Sequence, residues 1–99
     1  MNDYELIDNT QDRQYEFHIG EMTPYIEYIK TKNGQIHLTH TEVPSKLKGK
    51  GIGSRLVEKT LRDIERQRLE LVPLCPFVAG YIKRHPEWKR IVMQGINIE

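Results

Sequence analysis

Three glycines, Gly49, Gly51 and Gly53, alternate with Lys50 and Ile52 near the middle of the chain, and the hydrophobic pattern changes period across them. Before the glycines, apolar residues alternate with polar ones, as they do in half-buried β-strands. After them, apolar residues recur every three or four positions, which is the spacing of an amphipathic helix. The segment therefore predicts a junction between a strand-rich half and a helix-rich half, with a permissive backbone where the first helix begins.

The first half of the chain predicts antiparallel strands. The runs with alternating or β-branched character are 5–8, 15–19, 25–31 and 35–43. A tight hairpin turn is expected at Asn33-Gly34, because both residues tolerate positive φ angles. This half should therefore form a small sheet of three or four strands.

The second half predicts a helix, a strand and a second helix. The first helix should bury the apolar positions Ile52, Leu56, Val57, Leu61 and Ile64. Residues 69–74 suit a buried strand, Pro76 suits the first position of a helix, and Pro86 should end that helix. A strand pair joined through a helix is expected to be parallel with a right-handed crossover. At 99 residues the chain should be a single domain, 1–99, of the α+β (mixed α/β) class.

Composition excludes several classes of protein and site. The single cysteine, Cys75, permits no internal disulfide and favours a reducing, cytoplasmic location. No apolar run approaches the roughly 20 residues of a membrane span. His37 and His40 are three positions apart and should face opposite sides of a strand, and no Cys/His cluster has zinc spacing, so no metal is expected.

The predicted start of the first helix has an unusual charge pattern. Lysines occupy positions 46, 48 and 50, and the first acidic residue after them is Glu58. A helix N-terminus favours negative charge, so this start is suited to an external anion, and glycines let a phosphate approach the backbone. The spacing matches neither the P-loop nor the dinucleotide-binding fingerprint. A flexible turn with solvated lysines is the alternative.

Residues 48–53, Lys-Gly-Lys-Gly-Ile-Gly, resemble the pyrophosphate loop [QR]-x-x-G-x-[GA] of the GNAT (N-acetyltransferase) superfamily, with lysine replacing the usual Gln or Arg. Segments 40–44, 73–78 and 81–88 also resemble, in matching order, a family of very small stand-alone GNAT-like domains. The resemblance covers about residues 15–88. It implies a minimal GNAT fold that binds acetyl-CoA (coenzyme A) between two parallel strands that splay apart.

Two prolines independently favour such a splay. Pro44 and Pro73 lie near the C-terminal ends of the two predicted parallel strands, and neither has an N–H for a sheet ladder. The plainer alternative is that both simply end their strands.

By resemblance, the backbone N–H near Val43 would polarise the acetyl carbonyl. The expected cofactor-binding residues are Val43, Lys48, Gly49, Lys50, Gly51, Ile52, Gly53, Ser54 and His85. His85 either contacts the cofactor, ends the helix, or does neither.

Acetyl transfer to an amine needs a base, donors to the carbonyl oxygen and an acid for the leaving thiolate. His40 and Glu42 share one face of a strand, and either is a candidate base. Cys75 at the start of the second helix is a candidate proton relay or acetyl carrier, or else a small buried residue. By resemblance, Tyr81 is a candidate acid, although its helical spacing with Phe77 and Val78 favours a core position.

The leading functional prediction is an acetyl-CoA-dependent N-acetyltransferase that transfers acetyl directly to a small-molecule amine or a protein lysine. The alternative is an acetyl-CoA or CoA-binding module without transferase activity, because almost no chain lies between Ile7 and Tyr15 to cover a substrate. A nucleic-acid-binding patch on the first helix is a third interpretation, disfavoured by the net charge of +1. A membrane partner is not expected, and the sequence does not specify an oligomeric state.

Overall fold

A five-stranded sheet organises the chain, and its strands are neighbours in chain order. The computed structural model describes residues 3–98. The strands are β1 (Ile7–Asn9), β2 (Gln14–Glu16), β3 (Tyr25–Lys30), β4 (Gln35–Glu42) and β5 (Glu70–Pro73). The pairings from β1 to β4 are antiparallel, and β4 pairs with β5 in parallel, as predicted. The β3–β4 turn contains Gly34 at φ +81°, which explains the glycine there.

Within residues 3–98, two α-helices pack against one face of the sheet: α1 (Ile52–Arg66) and α2 (Pro76–Arg84). Short 3-10 helices lie at Ser45–Leu47 and Pro86–Ile91. All the apolar positions predicted for the first helix are buried, and α2 begins at its proline and ends before Pro86. The mixed α+β class is confirmed. None of the described helices is long and apolar enough to cross a membrane.

The core lies between this sheet face and the helices. Its fully buried side chains are Tyr15, Phe17, Ile26, Ile36, Leu38, Leu56, Val57, Leu61, Ile64, Leu71, Val78 and Ile82. Two tyrosine hydroxyls remain at its edge with carboxylate partners, since a buried hydroxyl needs a hydrogen-bond acceptor. Tyr15 donates to Asp63 at 2.8 Å, which joins β2 to α1, and Tyr28 donates to Asp8 at 2.6 Å, which joins β3 to β1.

The first two strands are shorter or shifted relative to the prediction. The strand predicted at 5–8 lies at Ile7–Asn9, and the one predicted at 15–19 ends at Glu16. The cause of the second difference is Pro24: the Phe17 N–H donates to its carbonyl at 3.1 Å, but the proline has no N–H to return. Ile19 then forms only an isolated bridge with Met22.

A β-bulge in β4 changes which side chains face the helices. Tyr28 pairs with Leu38 whereas Glu27 pairs with His40, so Thr39 is the extra residue on β4. Beyond the bulge, Thr41 faces the core beside Ile26, and the even-numbered positions face outward. The prediction that His37 and His40 face opposite sides is therefore wrong, because the bulge turns both to the outer face. Even so, the described residues hold no group of three or more potential metal ligands.

The parallel strands separate as predicted. Their pairing ends at Leu38 and Pro73, while β4 continues to Glu42 against β3. The Leu38 carbonyl accepts hydrogen bonds from the amides of both Leu74 and Cys75, each at 3.0 Å. These two bonds mark the end of the pairing between β4 and β5. The last residues of β4 therefore have no β5 neighbour and present a free strand edge.

The chain end packs beside β5. Val92 forms a parallel bridge with Leu71, and the Met93 N–H donates to the Leu71 carbonyl at 2.8 Å. Residues 93–98 form no strand. Glu99 lies outside the described residues.

Candidate active site

The turn before α1 depends on glycine for its backbone conformation. Gly49 and Gly51 have φ angles of +79° and +76°, in the left-handed region that other residues adopt at a cost. A Cβ atom at either position would meet nothing within 4 Å, so space is not the reason for glycine. The turn instead directs the chain so that α1 begins next to the free edge of β4.

The N-terminus of α1 carries a partial positive charge that no acidic side chain in its first turn compensates. Its capping residue, Gly51, offers no side-chain acceptor, and the first turn contains no acidic residue. The first helical hydrogen bond joins the Arg55 N–H to the Gly51 carbonyl at 3.1 Å, and the preceding amides are the ones that helix geometry leaves unpaired. Among residues 3–98, Lys48 and Lys50 make no ion pair. The turn is therefore suited to bind an anion.

A cavity of about 510 Å³ lies between the free end of β4 and this turn; we refer to it as the strand groove. Its lining residues are Thr41, Glu42, Val43, Leu47, Lys48, Gly49, Gly51, Ile52, Gly53, Ser54 and Phe77. Glycine at position 53 lets the Phe77 ring pack closely against α1, because a Cβ there would lie 2.7 Å from Phe77 Cζ and 3.4 Å from Val43 Cγ2. The helical spacing of Phe77 with Tyr81 suits a core position, but 41% of Phe77 is exposed, since it lies over Gly53 at the groove.

Cys75 lies beneath the strand groove. It is at the predicted N-cap of α2, is 4% exposed, and its Sγ is 3.1 Å from Thr41 Oγ1. Thr41 lines the groove, whereas Cys75 is not among the lining residues. The thiol is therefore connected to the groove through Thr41. The sequence did not predict this contact, because it gives no sign of the bulge that turns Thr41 towards the core.

His40 and Glu42 form a pair on the outer face of the sheet. His40 Nε2 lies 3.0 Å from Glu42 Oε1, and the two side chains are 52% and 54% exposed. Glu42 also lines the strand groove, and His40 does not. The neighbouring Tyr25 has its pKa raised by burial first and then by the negative charges of Glu27 and Glu42. Of the two candidate bases, Glu42 is the one at the groove.

Tyr81 and His85 lie in a second cavity of about 520 Å³, the helix groove. It is lined by Tyr4, Lys50, Gly51, Ile52, Ser54, Arg55, Glu58, Tyr81 and His85. The Tyr81 and His85 rings stack, with centroids 4.3 Å apart. Burial, followed by the charges of Glu58 and Glu87, raises the pKa of Tyr81. Tyr81 therefore lines a different cavity from Glu42, and Cys75 lines neither of the two.

Comparison with known proteins gives a consistent result. Residues 14–91 match the family model of the GCN5-related N-acetyl-transferases. The NMR solution structure of a GCN5-like protein from Staphylococcus aureus has a TM-score of 0.72 to this chain at 19% identity. The match covers 98% of this chain and 94% of that chain. Sequence identity at this level shows a shared fold and leaves function to the site itself.

Proposed function

This chain belongs to the GCN5-related N-acetyltransferase family, and on that premise we propose that it is an acetyl-CoA-dependent enzyme that transfers acetyl directly to an amine. One observation carries the proposal: an uncapped helix N-terminus and the free edge of a strand open into the same cavity, the strand groove. A ligand with an anionic centre and an amide-bearing arm fits both parts. The family supports acetyltransferase activity in general.

The residues of the groove fit acetyl-CoA, which supplies an activated acetyl thioester when bound. The backbone amides at 49–54 would hold the pyrophosphate, with Lys48 adding positive charge. The free edge at Thr41–Val43 would pair with the amides of the pantetheine arm, as an added strand pairs with a sheet edge. The Val43 N–H would donate to the acetyl carbonyl oxygen, on which negative charge develops.

Glu42 is the proposed general base. Glu42 is among the residues that line the groove, so its carboxylate would accept the proton that the ammonium group must lose before the amine can attack. His40 holds Glu42 through the contact at 3.0 Å and acts as a positioning residue. The carbonyl carbon then forms a bond to the amine nitrogen as its bond to sulfur breaks.

We assign protonation of the leaving thiolate to the Thr41–Cys75 pair. Thr41 lines the groove, and its hydroxyl would donate to the thiolate, while the Cys75 thiol behind it would donate to Thr41. Because Cys75 is 4% exposed, transfer of acetyl to its sulfur would first require the side chain to leave the core. Burial therefore favours direct transfer over a Cys75-linked route. Tyr81 lies in the helix groove and is not assigned this step.

The acceptor is proposed to be a primary amine, on a small molecule or on a protein lysine. It would approach from the outer face of the sheet, where the exposed His40–Glu42 pair lies. The free, buried Cys75 fits a reducing compartment, and we place the enzyme in the cytoplasm on that basis.

The exposure of His40 and Glu42, each about half, favours a second candidate function. An open site excludes water poorly and orients an amine poorly, so cofactor binding without turnover is the alternative. In that case the fold would serve as an acetyl-CoA-binding module.

An acetylation assay separates the two functions. Purified protein is incubated with acetyl-CoA and a panel of polyamines and lysine peptides, and both free CoA and acetylated product are measured by mass spectrometry. Matched release of CoA and product, reduced at least a hundredfold in Glu42→Gln, supports the transferase. Saturable acetyl-CoA binding with no product from any amine supports the binding module. Absence of binding contradicts both.

A further inference from the structure

Two polar side chains of β3 lie on the same face of the sheet as the proposed base, Glu42. Tyr25 and Glu27 alternate with Ile26, which is fully buried on the helix side, so both point to the outer face. The register pairs Tyr25 with Glu42 and Glu27 with His40. Glu27 and Glu42 are therefore diagonal neighbours on this face, about 7–8 Å apart.

Resting on the proposed function, we propose that the acceptor is a short diamine, and that Glu27 binds its second ammonium group while the first amine reacts beside Glu42. Glu27 is then the residue that determines specificity for the acceptor. The feature that carries this proposal is a carboxylate without a partner, placed about one diamine length from the proposed base.

The chain itself does not neutralise Glu27. Within residues 3–98, the Glu27 carboxylate and the Tyr25 hydroxyl make no hydrogen bond or ion pair. Glu16 on the same face is different, because its carboxylate accepts a hydrogen bond from Gln14 at 2.6 Å and is 5% exposed. Glu27 and Glu42 repel each other at this separation, so a cation bound between them would stabilise both.

Tyr25 lies beside both carboxylates. Its pKa is raised by burial first and then by the charges of Glu27 and Glu42, which therefore both act on its hydroxyl. The Tyr25 ring also lies 6.2 Å from the His40 ring, between centroids. An extended diamine with four carbons separates its two nitrogens by about 6 Å, which fits the spacing of the carboxylates. Its carbon chain would contact the apolar face of the tyrosine ring.

The test compares 1,4-diaminobutane with 4-amino-1-butanol, in which a hydroxyl replaces one ammonium group. The value of kcat/KM for acetylation of each amine is measured by mass spectrometry. At low salt the wild-type protein should favour the diamine by about threefold to tenfold, the effect of one partly exposed ion pair. This preference is counted beyond the roughly twofold advantage of two equivalent amines, and it should decrease as salt is added.

Substitutions of Glu27 test its charge directly. Glu27→Gln should abolish the preference, because an amide carries no charge, and Glu27→Asp should retain part of it. The ratio of two substrates cancels any change in the amount of folded enzyme. The matched control is Glu70→Gln, which removes the same charge from an exposed position opposite Gln35, at the other end of β4 from Glu42. This control should keep the preference.

The outcomes separate this inference from the proposed function. Wild-type protein that does not distinguish the two amines, or an equal preference in Glu27→Gln, would overturn the inference and leave the proposed function standing. Acetylation of lysine peptides but of neither small amine would do the same. Absence of product from every amine would overturn the proposed function, and the inference with it.

Discussion

Replacing Gly53 with alanine tests whether this glycine serves the fold or the groove. Within a helix, alanine is more favourable than glycine by about 1 kcal/mol. Against this, the new Cβ would lie 2.7 Å from Phe77 Cζ, so the ring must retreat to the 3.4 Å of ordinary contact. Because Phe77 is 41% exposed, it can turn towards solvent at a cost of about 0.5–1.5 kcal/mol. The free energy of unfolding should therefore change by less than about 1 kcal/mol.

Ligand binding should respond much more strongly than stability. The added methyl group enters the strand groove, and the Phe77 ring that lines the groove is displaced from its place there, so the affinity for acetyl-CoA should fall at least tenfold, or about 1.4 kcal/mol. Calorimetric titration measures the affinity, and thermal denaturation measures the stability. Wild-type affinity in Gly53→Ala would refute the reasoning, as would a loss of several kcal/mol of stability.

Gly80 provides the matched control, because it is the other helical glycine with contacts to a Cβ. A Cβ there would meet only Arg84 Nη1, at an ordinary 3.6 Å. Gly80→Ala should therefore raise the free energy of unfolding by up to about 1 kcal/mol, with a rise of about 4–8 °C in Tm per kcal/mol, and leave the affinity unchanged.

Three further predictions concern stability and access. Tyr15→Phe removes the hydroxyl that donates to Asp63 at 2.8 Å and should lower the free energy of unfolding by about 1.5–3 kcal/mol in urea denaturation. Burial opposes ionisation of Asp63, but hydrogen bonds from Arg66, Tyr15 and Gln67 outweigh it and lower its pKa. Its stabilisation should therefore be present above about pH 4 and be lost as pH falls below that value, and Asp63→Asn should flatten this acid-side slope. Cys75, 4% exposed, should react with iodoacetamide far more slowly in native protein than in urea, as followed by mass spectrometry.

Each of these predictions has an outcome that contradicts it. An unchanged urea midpoint in Tyr15→Phe would mean that the hydrogen bond only compensates for desolvation. Equal acid slopes in wild type and Asp63→Asn would assign acid sensitivity to other carboxylates. Native labelling of Cys75 at the unfolded rate would show that the thiol is accessible, and would remove the objection to an acetylated cysteine.

Local pattern was sufficient to predict the helices and the glycine turn. The apolar face of α1, its start after Gly51 and the end of α2 before Pro86 depend on residues close together in sequence. The splay was also predicted, because Pro73 lacks an N–H and the pairing of β4 with β5 ends there. Features of this kind follow from backbone chemistry at single positions.

The bulge at Thr39 could not be predicted, because it depends on the register between β3 and β4 and no local signal specifies it. Its consequence for the site is large. It directs Thr41 towards Cys75 and turns His40 and Glu42 to the opposite face. The division into two grooves was also missed, because Phe77 and Tyr4 reach the site only through tertiary packing.

The central claim is that acetyl-CoA binds with its pyrophosphate at the turn before α1. The most direct measurement is a calorimetric titration of wild type, Gly51→Ala and Gly51→Asp with acetyl-CoA. Both substitutions strain the backbone at φ +76°, by about 1–2 kcal/mol, so alanine controls for strain and only aspartate adds a charge that repels phosphate. We predict saturable binding by wild type, weaker binding by Gly51→Ala and none by Gly51→Asp. No binding by folded wild type up to millimolar acetyl-CoA, or equal binding by the two variants, would contradict the claim.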